Sequence, residues 1–196
     1  MAVYFNEIRN LADNPVETLQ EYAAVLGVDR HVPVVLEDAR FALWSGSSKP
    51  HQHHYGKGGL ARHTLEVVDL CLNTSRYFSD LNIPDRALFL AALYHDVGKM
   101  WDYEPVDGEF KEWRGTQHKR RIHHICRSVI VWNKISCNLS ELNPIADDVT
   151  HAILAHHMQR EWGSPVSPNT KLAWILSMCD NISARVDDCD KFDRHL

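Results

Sequence analysis

The stretch that most limits what this chain can become is Ala87 to Lys99, "ALFLAALYHDVGK". Apolar runs of this kind are buried, whereas ionisable neighbours such as His95 and Asp96 are costly to bury unless something binds them. The fold therefore has to enclose this segment and also satisfy a His-Asp doublet at its end. The run is far short of the roughly 18 apolar residues needed to cross a bilayer, so a membrane role is not expected.

The rest of the chain is punctuated for helices. Asn14-Pro15 and Asn143-Pro144 each pair an N-cap residue with proline at the first helical position. The first launches a helix to Gly27 with Leu19, Tyr22, Ala23 and Leu26 on one face, and a second is expected from Pro33 to Trp44. The loop "SGSSKPHQHHYGKGG" follows, and a long helix starts near Leu60 with Leu65, Val68 and Leu72 at core spacing. The helix that carries the doublet is expected from Pro84-Asp85 to Gly98, where glycine would let the chain turn away. Asp102 to Gly115 has no clear period and reads as a loop with room for a short hairpin. From His118, the positions Ile122, Ile125, Val129 and Trp132 mark one further helix, and another runs from Pro144 to about Met158. In the last helix Leu172, Ile175, Cys179, Ile182 and Val186 keep an apolar register. No strand set or repeat stands out, so the expected fold is an all-α bundle with its site in the bundle core. Residues 1–45 are expected to be N-terminal helices packing on that core, 46–188 the functional domain and 189–196 a polar tail, all within one compact unit.

A formal net charge of −5 gives no global basic field, so a polyanion would need a local positive site. The N-terminus lacks a basic-then-apolar signal order, which makes the cytoplasm the expected location. The cysteines, at 71, 126, 137, 179 and 189, form no Cys-x-x-Cys pair, which argues against a zinc finger or a disulfide scaffold. The histidines are the anomaly: 13 are present, many in doublets or beside acids. His63, His95-Asp96, His124, His156-His157 and Asp180 each fall on a separate core helix, near an end or beside apolar neighbours. Asp180 shares a face with Leu176 and Ala173, and His95 with Ala91 and Leu88. One or two shared divalent cations would satisfy all of these groups at once. With imidazole and carboxylate donors the suitable ions are Mn²⁺, Fe²⁺, Zn²⁺, Co²⁺, Ni²⁺ or Mg²⁺.

The segments "HHYGKGGLARHT", "LYHDVGK", "IHHICRS", "ILAHHMQREWGSP" and "MCDNISARVD", in that order from Ser45 to Asp188, resemble the HD-domain superfamily of metal-dependent phosphohydrolases. Within it the chain is similar to the HD domain of bacterial 3′-5′ exoribonucleases and to relaxase-like HD proteins of mobile elements. It departs from cyclic-dinucleotide phosphodiesterases of the HD-GYP type, having Glu161-Trp162-Gly163-Ser164-Pro165 where their signature would fall. The resemblance implies that His63, His95, Asp96 and Asp180 hold a first metal, and that Asp96 bridges to a second held by His124, His156 and His157. The alternative for the latter three is a mononuclear site that they surround, and His123 competes with His124 for the ligand position. Two metals about 3.5–4 Å apart polarise a phosphoryl oxygen and generate hydroxide at neutral pH.

Asp96 and Lys99 are the expected catalytic residues. Lys99, four residues after His95, would meet the substrate phosphate, with a helix-capping charge as the plain alternative. His53, His54, Lys57, Arg62, Ser164 and Asn181 are the expected substrate contacts. The "HKRR" run, His118 to Arg121, would either draw in further phosphates or form a solvated helix face. His31, His51, His151 and His195 read as surface residues.

The function expected is hydrolysis of a phosphoester in nucleic acid or a nucleotide, first as a 3′-5′ exonuclease. A nucleotidase or a cyclic (di)nucleotide phosphodiesterase is the enzymatic alternative, and a nucleotide-binding sensor or adaptor on the same scaffold is the non-enzymatic one. The exonucleases carry an OB-type domain ahead of their HD domain. Only residues 1–45 precede the motifs here, so the main RNA grip of those enzymes is not expected, which counts against the exonuclease reading unless a separate nucleic-acid-binding partner supplies it.

Overall fold

The computed structural model describes residues 14–78 and 82–192, with side chains to residue 186. Residues 1–13 of the expected N-terminal unit, the side chains of the polar tail and His195 lie outside the described residues. Helix α1, Pro15–Val25, starts as the sequence predicts, with Asn14 Oδ1 accepting from the Glu17 amide. The single helix expected over 33–44 is instead two short ones, α2 Pro33–Leu36 and α3 Ala39–Leu43. Asp38 breaks it: its carboxylate accepts from the Arg40 amide at 2.9 Å and from the Arg40 guanidinium, so the residue acts as an N-cap rather than continuing the helix.

The long helix α4 covers Gly59–Tyr77 and α5 covers Asp85–Tyr94. Every residue of α5 from Ala87 to Tyr94 is buried, because α4, two later helices and the final one surround it. A helix that is apolar all round can only occupy such a central place. Its last turn gives way to tight turns at His95–Gly98, followed by α6, Lys99–Asp102. An antiparallel hairpin then pairs β1, Tyr103–Pro105, with β2, Trp113–Gly115, in the register Glu104 opposite Arg114.

The helix expected from His118 is split into α7, Gln117–Arg121, and α8, His124–Ser136. The break is His123, held at φ 68° and ψ 150°, a conformation that a side chain disfavours by about 1–3 kcal/mol. Helix α9 spans Asn143–Ala155, and a one-turn helix at Ser140–Leu142 leads into it. Asn143 therefore already has helical dihedrals and is not the N-cap that the sequence suggested.

The last helix, α10, is Lys171–Phe192 and packs on α4, α5 and α9. Leu172, Ile175 and Cys179 are buried as expected, but Ile182 and Val186 are exposed. Beyond Cys179 the inward face continues instead through Asp180 and Ser183, polar residues turned toward the ligand cluster described next. His31 is also buried, its Nε2 3.4 Å from Glu141, and is not the surface residue it resembled in the sequence.

A candidate di-metal centre

The seven residues expected to bind metal converge at one end of the bundle. His63 comes from α4, His95 and Asp96 from the turn after α5, and His124 from the first position of α8. His156 and His157 follow α9, and Asp180 lies on α10. Asp96 is at the centre. Its Oδ2 lies 3.3 Å from both His63 Nε2 and His95 Nε2, and Asp180 Oδ1 lies 3.0 Å from His63 Nε2 and 3.6 Å from His95 Nε2. On the other side, Asp96 Oδ1 lies 3.5 Å from His124 Nε2 and 3.7 Å from His156 Nε2. Donor atoms of His63, His95, Asp96 and Asp180 lie close enough together to share one ion, and so do those of His124, His156 and His157. Such spacings suit donors bonded to one cation at about 2.0–2.2 Å.

The tautomers are set by what lies behind each ring. His95 Nδ1 donates to the Ala92 carbonyl and His156 Nδ1 to the Ile153 carbonyl, both at 2.7 Å, and His157 Nδ1 donates to the Trp162 carbonyl at 2.8 Å. A carbonyl only accepts, so the proton is on Nδ1 and the Nε2 lone pair faces the cluster. Ser183 donates its hydroxyl hydrogen to Glu66 at 2.8 Å, so its oxygen accepts from His63 Nδ1 at 3.1 Å. His124 Nδ1 donates to Asp102 Oδ2. Five imidazoles are thus tethered through Nδ1 with Nε2 turned inward, the arrangement that orients metal-ligating histidines. Asp96 Oδ1, His124 Nε2 and His156 Nε2 are buried with no hydrogen-bond partner, a costly state that a cation between them would relieve. The residues present therefore fit a pair of divalent ions.

Electrostatics agree with this. Burial pushes the His124 imidazole down to about 4 and holds His156 well below its ordinary range, so both offer lone pairs at neutral pH. Burial alone would also depress His95, but Asp96 and Asp180 raise it to about 10. Asp96 and Asp180 stay well below the usual carboxylate range despite burial, Asp96 chiefly through Lys99 and His95, Asp180 through His63 and His95. Two carboxylates that recruit a proton onto a neighbouring imidazole will exchange that proton for a metal ion.

Lys99 is buried, with Nζ 2.6 Å from Asp96 Oδ2. The amide of Gly98 donates to Ser128 Oγ at 3.0 Å, which ties the doublet's turn to α8. It is His124, not His123, whose ring faces Asp96.

The expected substrate contacts divide. His53, Asn181 and Asp180 line an open cleft of about 380 Å³ together with His157, Trp162 and Arg185. Asn181 Nδ2 reaches Met158 Sδ at 3.9 Å rather than any carboxylate. Burial first, then the nearby Lys99 and His63 charges, push the His53 imidazole down to about 2. His54 meets His53 through Nδ1 at 3.3 Å, and its Nε2 lies 3.0 Å from Glu66. Lys57 and Arg62 are exposed, the Arg62 guanidinium donating to the Lys57 carbonyl at 3.1 Å. Ser164 is buried with its hydroxyl unpartnered.

Several functional neighbours escaped the sequence. Asp102, read there as loop, is fully buried. It accepts from the His124 amide at 2.9 Å, from His124 Nδ1 and from His118 Nδ1 at 2.7 Å, so one carboxylate caps α8 and aims its first side chain. The Glu66–Ser183 pair is a second case. Glu66 is three residues after His63 on one helix and Ser183 three after Asp180 on another, a helical spacing that places them beside those ligands. Replacing Ser183 with alanine removes the acceptor behind His63. Metal affinity is then expected to fall about 10–100-fold, with Ser183→Thr restoring it, in competition titrations against a metal indicator. An unchanged affinity would mean that Ser183 does not orient the ligand. Among the described residues no cysteine joins any of the candidate ligand groups, and no helix is long and apolar enough to cross a membrane.

Comparison with known families places residues 60–185 in a match to the HD domain. No solved structure matches the chain.

Proposed function

The chain belongs to the HD-domain family, and from that premise we propose that it is a two-metal phosphodiesterase that cleaves nucleic acid from a 3′ end. Members of the family are typically metal-dependent phosphohydrolases. The observation that carries the reading is the convergence of four Nδ1-tethered imidazoles on Asp96, with a fifth, His157, grouped with His124 and His156, and three buried donor atoms left without partners. His63, His95, Asp96 and Asp180 would hold one cation and Asp96, His124, His156 and His157 the other. Bound there, the ions supply Lewis-acid charge to a phosphoryl oxygen and make water acidic enough to attack at neutral pH.

The chain's own groups do the rest. Asp96 keeps the two halves of the site together through its two oxygens. Lys99, held 2.6 Å from Asp96 Oδ2, would set its ammonium beside a bound phosphoryl group and balance charge that builds on its oxygens. At the mouth of the cleft stands Trp162, half exposed and beside Arg185, an aromatic face on which an unpaired nucleobase can stack. That feature, with the resemblance to exoribonucleases, favours a single-stranded end over a free mononucleotide.

The test is a panel of bis(p-nitrophenyl) phosphate, single-stranded RNA, single-stranded DNA and cyclic nucleotides, each with Mn²⁺. Shortening of an oligonucleotide from its 3′ end is the expected result. Cleavage of nucleotides alone would overturn the exonuclease assignment, and turnover of no ester would overturn the hydrolase reading. Trp162→Ala is expected to raise the KM for oligonucleotides about tenfold with kcat little changed, since stacking contributes roughly 1–3 kcal/mol per base. An unaltered KM would show that no base rests there.

A further inference from the structure

The "HKRR" run is not one surface. Arg120 and Arg121 are exposed, but the half-buried Lys119 side chain lies against the hairpin beside Gly115. Lys119 Nζ lies 4.6 Å above the Tyr103 ring, 3.5 Å from the Tyr103 hydroxyl and 3.4 Å from Ser48 Oγ. Among the described residues no carboxylate pairs with it; the nearest, Asp102, is committed to His118 and His124. Half-burial first, and then the charges of Lys99 and Lys49, hold its ammonium below the ordinary lysine range against the pull of Asp102. Tyr103 is buried, lies within the fields of Lys99 and Asp96, and carries the Lys119 ammonium over its ring. A half-buried ammonium held only by two hydroxyls and an aromatic face, with no carboxylate in ion-pair contact, keeps part of its charge uncompensated, which a bound anion would relieve.

We propose that Lys119, with Ser48 and the Tyr103 hydroxyl, forms a second phosphate subsite next to Lys99, which takes the phosphate adjoining the scissile one. The inference rests on the phosphohydrolase reading and narrows it to substrates that carry at least two phosphates. Together these groups offer one ammonium and two hydroxyl donors, a set suited to the oxygens of a phosphate. Lys99 serves the reacting group, and Lys119 sets the register of the strand or polyphosphate.

Binding separates this claim from catalysis. Thymidine 5′-monophosphate, thymidine 3′,5′-bisphosphate and thymidine 5′-diphosphate are titrated calorimetrically into the Mn²⁺-loaded chain, into Lys119→Gln and into Arg120→Gln. The wild type is expected to bind at least one of the two-phosphate ligands more tightly than the monophosphate. Lys119→Gln should lose about tenfold for that ligand and nothing for the monophosphate, the usual size of a charge-assisted contact, while Arg120→Gln changes neither. A preference for the 3′,5′-bisphosphate assigns the subsite to a diester backbone, and one for the 5′-diphosphate assigns it to a polyphosphate tail. Equal affinities for one and two phosphates in the wild type, or an unchanged preference in Lys119→Gln, overturn the proposal. Lys119→Met, which keeps the stem on Tyr103 but not the charge, should match Lys119→Gln; a loss seen only in Lys119→Gln would mean that packing, not charge, was removed. Because no turnover is read, failure here leaves the hydrolase assignment standing, and failure of the ester panel leaves this measurement interpretable.

Discussion

Asp96→Asn is expected to lower phosphoester hydrolysis by about a thousandfold or more, the rate equivalent of removing several kcal/mol of metal-ion catalysis. The substitution changes almost no volume but strikes both halves of the centre. Oδ2 faces His63, His95 and Lys99, and Oδ1 faces His124 and His156. An amide turns one of those two oxygens into a donor, so one half of the site meets an N–H where it needs a lone pair. It also removes the charge that balances the buried Lys99 ammonium. Metal analysis of the purified protein should therefore fall from two ions per chain to one or none. Mn²⁺ should raise the melting temperature of the wild type, by the free energy of loading a folded site, and raise that of the variant much less. A variant that retains both ions and full activity would remove Asp96 from the bridging position.

Gly98→Ala is expected to destabilise the protein by about 3 kcal/mol or more, the upper end of what overpacking costs. For a chain of this size that lowers the melting temperature by roughly 6–12 °C. A Cβ built on Gly98 would sit 2.1 Å from the His124 carbonyl oxygen and 2.7 Å from its Cα, and these are backbone atoms that cannot swing aside. Something must shift, and the first turn of α8 is what it meets. That turn carries His124, whose ring has to hold both Asp102 and Asp96. Thermal melts should show the loss of stability, and metal analysis a loss weighted to the His124 side of the centre. A melting temperature within a degree of wild type would refute the close-packing account. The result also corrects the reason for the glycine. Gly98 has φ −60° and ψ −19°, ordinary helical values open to any residue, so it does not serve to turn the chain. It is there because two backbones approach too closely for a side chain.

That glycine is a fair example of what a sequence can and cannot convey. "HDVGK" makes glycine notable, but the atom it makes room for belongs to a residue far along the chain. The same holds for Asp102. In the sequence it is an acid at the edge of an irregular segment, and only packing reveals that it caps α8 and orients two histidines. The breaks at Asp38 and His123 were missed for a related reason. Periodicity persists across them, and a single side-chain cap or one unfavourable dihedral interrupts a helix without disturbing its apolar spacing. Ile182 and Val186 show the converse, a register that continues after the helix has turned its inward face over to Asp180 and Ser183.

What the sequence determined by itself is the class of fold and the donor chemistry. Helical spacing and caps are local, and the run from Ala87 to Tyr94 has nowhere to go but the centre of a bundle. Imidazole and carboxylate types, carried on successive helices, already restrict what such a centre can bind. Tertiary structure alone decided which atoms of those residues meet. Which nitrogen of each histidine faces inward depends on the carbonyl, hydroxyl or carboxylate behind it, and those acceptors come in part from other helices. Whether Lys119 points to solvent or back over Tyr103 toward Ser48 depends on how the hairpin folds. Those are long-range contacts, fixed by packing and not by neighbours in the chain, and they bring a set of candidate ligand side chains into one candidate centre.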